Sequence, residues 1–246
     1  MSRGPEHPAD VDAIAHVFVD ELAERCDIGG DDGRHLRQVR RLQVGERVTA
    51  ADGTGTWRCY EIVETGRSAL RLEARGAPHH DDAPAVTISL AIAPVKGGLD
   101  AVVAAVTELG AARITPVRTL RTVVRWDAAK ASHAVTRLRT IAREAAMQSR
   151  RTRIPAVDDL VDLDAVAGRQ GLVVADRTGR RAFELVPPAF GEWTVVVGPE
   201  GGLAPSELER LSAPLLALAT SVLRAGTAPV AAVAVLADRI AQMGRA

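Results

Sequence analysis

Aromatic residues make up only 3% of this 246-residue chain. Its core must therefore be assembled mainly from Ala, Val, Leu and Ile. Cysteine is scarce as well. Cys26 and Cys59 alone supply neither a disulfide framework nor a zinc pattern. No apolar run approaches the roughly 20 residues of a membrane-spanning helix. The first residues, MSRGPEHPADVDA, lack the apolar stretch of a secretory signal. The expectation is a soluble, cytoplasmic protein with no membrane partner. Several signatures of common chemistry are missing too. There is no G-x-G-x-x-G, no G-x-x-x-x-G-K-[ST] and no H-E-x-x-H, so a standard dinucleotide site, a P-loop ATPase and a zincin lack their signals. Ser206 has no nucleophile-elbow spacing and reads as a first-turn residue. His79, His80, Asp81 and Asp82 have no further ligands at suitable spacing, which favours a solvated linker over a metal site.

What the chain does have is 47% hydrophobic residues and an uneven charge. The net charge is zero, yet residues 113–153 hold 11 Arg/Lys against two Asp/Glu, a balance of +9. Such a segment reads either as a footprint for an anionic partner or as a solvated helix face.

The first 75 residues have the texture of a small β-rich domain. Short β-prone runs are broken at Val44-Gly45, Asp52-Gly53-Thr54-Gly55 and Thr65-Gly66, which suggests hairpins. Residues 76–84 are polar and proline-bounded and read as a linker. From residue 85 to 246 strands and helices alternate. VTISLAI (86–92) reads as a strand. A helix follows with Leu99, Val102, Val103, Val106 and Leu109 on one face and Gly110 as its cap. RITPV is a strand, and residues 128–149 form a helix with Val135, Leu138, Ala142 and Ala145 inward. Then come strands at 171–175 and 194–197, a helix near 205–212, a short strand near 216–220 and a last helix over about 228–243. This alternation predicts an α/β fold with a mostly parallel sheet covered on both faces.

In such sheets ligands bind beyond the carboxyl ends of strands. Three loops qualify: Ala175 to Gly179, Gly198 to Gly202, and SVLRAGTAPVA from Ser221. The middle one, VVVGPEGGLAPSELE, is a valine strand, a bare loop and a helix start. Pro199 pushes Gly198 out of the helical region. Gly201 and Gly202 permit positive φ and close approach to the backbone.

VVVGPEGGL followed by VLRAGTA and an alanine-rich last helix resembles the SPOUT methyltransferases, and within them the ribosomal RNA small-subunit methyltransferase E family. TELGAARITPV and AREAAMQSRRTRIPAV fall in the family's order and spacing. HLRQVRRLQVGERVTAADGTG looks like its N-terminal PUA-like RNA-binding β-barrel. The resemblance covers nearly the whole chain. It implies S-adenosylmethionine as methyl donor, a deep trefoil knot near the C-terminus, and a homodimer that helps to build the active site. It implies uridine N3 of 16S rRNA, as naked RNA or in the assembled small subunit, as the target. The chain departs from the family where the usual Leu-Arg-Thr-Glu-Thr-Ala is Leu223 to Ala228 with Gly226 in the acidic position. Ala105 also stands where the family often has Lys.

On that resemblance Arg224 and Glu200 are the catalytic candidates: Arg224 for charge on the uracil carbonyls, Glu200 to orient the donor or take a proton. The donor would be held by Ala175, Gly198, Pro199, Glu200, Gly201 and Gly202, and by Leu218, Val222, Leu223, Arg224, Thr227 and Ala228. RNA contacts are expected from Arg34, Arg37, Arg40 and Arg41 in the first domain. In the second they are expected from Lys96, Arg139, Arg143, Gln148 and Arg150. No metal is expected. A second reading is a non-catalytic RNA-binding assembly factor, for which the first domain and the arginine-rich segment would suffice.

Overall fold

The structure is a computed structural model that describes residues 7–34, 36, 42–66 and 69–243. It divides into two compact units. The first takes residues up to 83 together with 146–154, and the second takes 84–145 and 155 onward.

In the first unit β1 (Ala15–Phe18) pairs in parallel with β3 (Arg47–Ala51). The strand β4 (Thr56–Thr65) runs antiparallel to β3 and to β5 (Leu70–Ala74), and β2 (Arg25–Ile28) closes the row against β5. A single short turn of helix, α1 (Gly30–Arg34), follows β2. The hairpin turns lie at the glycines expected from sequence, Gly53 to Gly55 and Gly66. Sequence reading did not find β1 and β2. AHVF is only four residues long, and RCDI alternates polar and apolar with an exposed Arg25. Val17, Val48, Tyr60, Ile62, Leu70 and Leu72 form the core of this unit. Tyr60 is fully buried and donates its hydroxyl to the carbonyl of Ala23 at 2.8 Å, which satisfies the one polar atom it brings inside. Cys26 and Cys59 remain free thiols.

The segment 76–84 is not the solvated linker expected. His79 and His80 form β6 (His79–His80) against β4. The His79 ring stacks on Trp57 with centroids 4.4 Å apart. Asp81 accepts from the Trp57 indole at 3.1 Å and from Thr152 Oγ1 at 2.6 Å. His79 and Asp81 are thus spent on Trp57 and its surroundings, while His80 and Asp82 stay exposed. The residues 146–154 complete this unit. Ile154 N–H donates to Gly53 O at 3.0 Å, Gly55 N–H donates to Thr152 O at 3.2 Å, and Ala146 and Met147 pack with Phe18, Ala51 and Trp57.

The second unit is a parallel sheet. Its strands are β7 (Val86–Ile92), β8 (Ala111–Arg118), β9 (Ala156–Val157), β10 (Val161–Asp162), β11 (Leu172–Arg180), β12 (Gly191–Val197) and β13 (Leu215–Leu216). The order is β10-β8-β7-β12-β11-β13, with β9 beside β8. Its helices are α2 (Leu99–Glu108), α3 (Ala128–Gln148), α4 (Pro205–Leu211) and α5 (Thr227–Met243). The valines of β12 show why the run reads as continuous. Val195 and Val197 face one cluster with Val102 and Val103 of α2, Leu138 of α3 and Leu236 of α5. Val196 faces the other, with Leu203, Leu211 and Val166. A strand buried on both faces needs apolar residues at every position. The expected inward residues Val135, Leu138, Ala142 and Ala145 are buried, and so are Leu99, Val102, Val103 and Val106. Leu109 is the exception. It is the C-cap, one residue past the end of α2 at Glu108, and is 37% exposed.

Candidate active site

The three segments singled out from the sequence meet, but only two of them are loops: Ala175 to Gly179 falls inside β11, which continues to Arg180. β11, β12 and β13 are neighbours, and the second half of β11 and the segments after β12 and β13 enclose one cleft of about 190 Å³. Of the residues expected there, Ala175, Gly198, Pro199, Glu200 and Gly202 line it from the first two segments, and Leu218, Val222, Leu223 and Ala228 from the third. Gly201, Arg224 and Thr227 do not line it. Asp176, Arg177, Val197, Leu216, Ala219, Ser221 and Ala225 do, and sequence reasoning had not assigned them. The apolar ones among them carry no signal beyond being strand ends.

The glycine loop is folded back on its own start. Gly202 N–H donates to Pro199 O at 2.8 Å. A Cβ on Gly198 would lie 3.1 Å from the Gly202 carbonyl carbon and from Leu203, so the backbone there would have to give by a few tenths of an ångström. Gly202 has φ +66, where a side chain is strained, and its missing Cβ points into open space. Gly201 behaves differently. Its φ is not in the left-handed region, and a Cβ there would meet only the Arg121 side chain at 3.6 Å. The glycines that the loop requires are thus Gly198 and Gly202, which corrects the emphasis on Gly201.

Two carboxylates line the cleft. Asp176 accepts both the Thr178 amide at 2.8 Å and the Thr178 hydroxyl at 2.6 Å. The hydroxyl bond, then the amide bond, hold its pKa below the usual carboxylate range. Glu200 is exposed on the rim with no side-chain partner among the described residues. Arg224 is also exposed. Its carbonyl accepts from Thr227 at 2.9 Å and Ala228 at 3.0 Å, which starts α5. Its guanidinium has no hydrogen-bond or ion-pair partner among the described residues.

The arginine-rich segment is largely used internally. Arg113 pairs with Asp158 and Glu192, Arg118 with Asp162, and Arg139 with Asp159 and the Val157 carbonyl. Arg150 donates to the carbonyls of Pro8, Val11 and Ala13, and Arg153 to those of Thr54 and Asp81. Arg150 is thus anchored on backbone carbonyls, and Arg139 sits half exposed in a surface ion pair. Lys96 and Arg34 are exposed and Arg143 is half-buried. Gln148 and Arg150 line a small pocket of about 150 Å³ with His16 and Met147. Arg37, Arg40 and Arg41 lie outside the described residues.

His16 shows what the anchoring involves. It is 4% exposed, with Nε2 3.0 Å from the Arg151 carbonyl and Nδ1 2.8 Å from Thr49 Oγ1. A carbonyl only accepts, so Nε2 carries the proton and the neutral ring accepts at Nδ1. Burial, assisted by the charge on Arg150, lowers its pKa from 6.5 to about 4. The neutral ring is favoured in the fold, so its contribution is fully present above pH 6.5 and is lost as pH falls toward about 4. The loss is about 3 kcal/mol when complete. Comparing melting temperatures at pH 7 and pH 4.5, His16→Gln is expected to lose less stability than the parent on acidification. Equal losses would show that His16 does not carry the effect.

The chain thus carries a parallel α/β unit with a glycine-walled cleft and a separate small β unit. The family model for an RNA methyltransferase domain matches residues 82–237, and the model for the PUA domain of RNA methyltransferases matches residues 28–74. The ribosomal RNA small subunit methyltransferase E of Mycobacterium tuberculosis is 33% identical over 228 residues, covering 86% of this chain and 87% of that protein. The Bacillus subtilis enzyme of the same name is 26% identical, covering 88% and 91%. The crystal structure of the Neisseria gonorrhoeae enzyme of that name, bound to S-adenosyl methionine, superposes with a TM-score of 0.81 at 22% identity, covering 92% of this chain and 97% of that one. The chain belongs to the ribosomal RNA small subunit methyltransferase E family of RNA methyltransferases.

Proposed function

We propose that this protein transfers a methyl group from S-adenosylmethionine to N3 of a uridine in 16S rRNA. The observation that carries this reading is the cleft enclosed by β11 and the segments after β12 and β13 in a chain of this family. Its residues suit the donor. Val197, Leu216, Leu218 and Ala228 offer an apolar bed for a purine, and Gly198 and Gly202 let backbone groups approach without side chains between. The relative's bound S-adenosyl methionine supports the same assignment. The donor supplies an activated methyl on a sulfonium. The protein's work is then position and electrostatics.

Uridine N3 carries a proton at neutral pH that must leave, which places negative charge on the flanking carbonyl oxygens. The unpartnered guanidinium of Arg224 is the group we assign to that charge. Asp176 is committed to Thr178, so Glu200 is the lining carboxylate left to orient the donor's positive end or to take the proton. The N-terminal unit would bind RNA, and Lys96 and Arg143 of the second unit would add phosphate contacts, since arginine and lysine position phosphates without reading sequence. A homodimer, a trefoil knot in the C-terminal loops and a cytoplasmic site of action belong to this reading.

The test has two arms. S-adenosylmethionine at 100 times its dissociation constant is expected to stabilise the protein by about 2.7 kcal/mol against heat. Mass spectrometry of 16S rRNA, treated with the enzyme as naked RNA and in small subunits, is expected to place one new methyl on a uridine N3. No thermal shift at millimolar donor together with no methylation would leave an RNA-binding assembly factor.

A further inference from the structure

We propose that Arg121 is a positioning residue for the methyl donor, acting through the glycine loop rather than by touching the donor. This rests on reading the cleft as the donor site. Arg121 lies in the loop after β8, far from Gly201 in sequence, and its Nη1 donates to Gly201 O at 2.8 Å and to Leu203 O at 3.1 Å. Those two carbonyls flank Gly202, the cleft-lining residue with φ +66.

The bonds form a closed set. The peptide joining Gly201 to Gly202 is held at its oxygen by Arg121 and at its N–H by Pro199 O. The peptide joining Leu203 to Ala204 is held at its oxygen by Arg121 and at its N–H by Glu207 Oε2, at 2.7 Å. Both peptide planes at the corner are thus fixed from within the protein, and a ligand need not order them. Glu207 is 1% exposed, and its other oxygen accepts from Leu120 N–H at 2.7 Å. One buried carboxylate thereby ties the start of α4 to the residue beside Arg121. The loop that presents Arg121 is itself braced. Thr119 and Thr122 share a hydroxyl–hydroxyl bond of 2.8 Å, and Thr119 N–H donates to Thr122 Oγ1 at 3.2 Å.

A flexible glycine loop must lose conformational freedom when it binds, and pre-ordering removes that cost from the binding step. The Arg121 guanidinium is the member of the set that reaches two carbonyls from one exposed side chain. Both bonds leave one nitrogen, Nη1, so a lysine ammonium with its three donors can restore part of the set. The Arg121 bonds are absent from the chemistry itself. Their loss should therefore appear in donor affinity and not in the rate at saturating donor.

The experiment compares the full chain with Arg121→Ala and Arg121→Lys. Calorimetry with S-adenosylmethionine and with its demethylated product gives affinity. Steady-state methylation of small-subunit RNA gives donor KM and kcat, and thermal melting gives stability. Arg121→Ala is expected to weaken donor binding about tenfold or more, to raise donor KM in proportion, and to leave kcat within about twofold. Arg121→Lys is expected to recover part of the affinity. Melting without ligand should change little, since the side chain is exposed. Unchanged donor affinity in Arg121→Ala would overturn the proposal. So would a loss of affinity that follows a loss of stability in both variants. If the unaltered protein binds no donor, it is the functional reading that fails, and the proposal falls with it.

Discussion

Arg224→Ala is expected to lower single-turnover methylation by about 10²–10³, the usual cost of removing one preorganised donor aimed at developing charge. Donor affinity and melting temperature should stay near those of the parent. The structure separates the two parts of this residue. Its carbonyl starts α5 by accepting from Thr227 and Ala228, and alanine keeps that carbonyl. Its guanidinium is exposed and has no partner among the described residues. Exposed substitutions away from special features shift stability by no more than about 0.5 kcal/mol. The rate is thus the quantity that should move. Single-turnover methylation, donor calorimetry and melting on one preparation test this. A variant with near-normal turnover removes Arg224 from the chemistry, and a parallel fall in stability and donor affinity makes it a structural residue. Gly226 in the position where the resembled family has an acid leaves Arg224 without a carboxylate from that place, and the unpaired guanidinium agrees with this.

The second large effect is expected at the glycine loop. Gly202→Val puts a β-branched side chain at φ +66, which costs about 1–2 kcal/mol of local strain, and directs it into open space at the cleft wall. Donor affinity is expected to fall at least tenfold, about 1.4 kcal/mol, with native circular dichroism. Gly201→Ala is the control. Its Cβ has only an ordinary contact with Arg121, so its donor affinity should remain close to normal. Equal donor binding by Gly202→Val and the parent would take this loop out of the site.

Local pattern carried much of this protein. Strand β7 spans the seven residues predicted, and α2, α3, α4 and α5 fall within a residue or two of their expected ends, because an apolar period is a local property. The segments after β12 and β13 were legible as strand ends for the same reason, whereas Ala175 to Gly179 continues β11. Their convergence follows from the neighbouring of β11, β12 and β13, which no local window contains. Arg121 and Glu207 were missed because their partners are remote in sequence: Gly201 and Leu203 for one, Leu120 for the other. In sequence Glu207 is only one residue of the helix start in APSELE. Its two bonds give it a second task that charge counting cannot see. The +9 segment shows the reverse error. Its arginines read partly as a footprint, but Arg113, Arg118 and Arg139 meet carboxylates in surface ion pairs, and Arg150 and Arg153 meet backbone carbonyls. Formal charge summed along a chain says nothing of which charges are already answered.

The first unit takes its last piece, residues 146–154, from beyond a long stretch of the second. During synthesis its β-strands leave the ribosome well before Thr152 and Ile154, which close the turn at Gly53 to Gly55. At ordinary elongation rates of about 5–20 residues per second, a gap of some sixty residues lasts several seconds. Throughout that interval Trp57 and Phe18 await Ala146 and Met147. The nascent N-terminal unit is therefore incomplete until residues 146–154 emerge. It also cannot be transplanted as a cassette cut at residue 83, because the excised piece would leave its own closing segment behind.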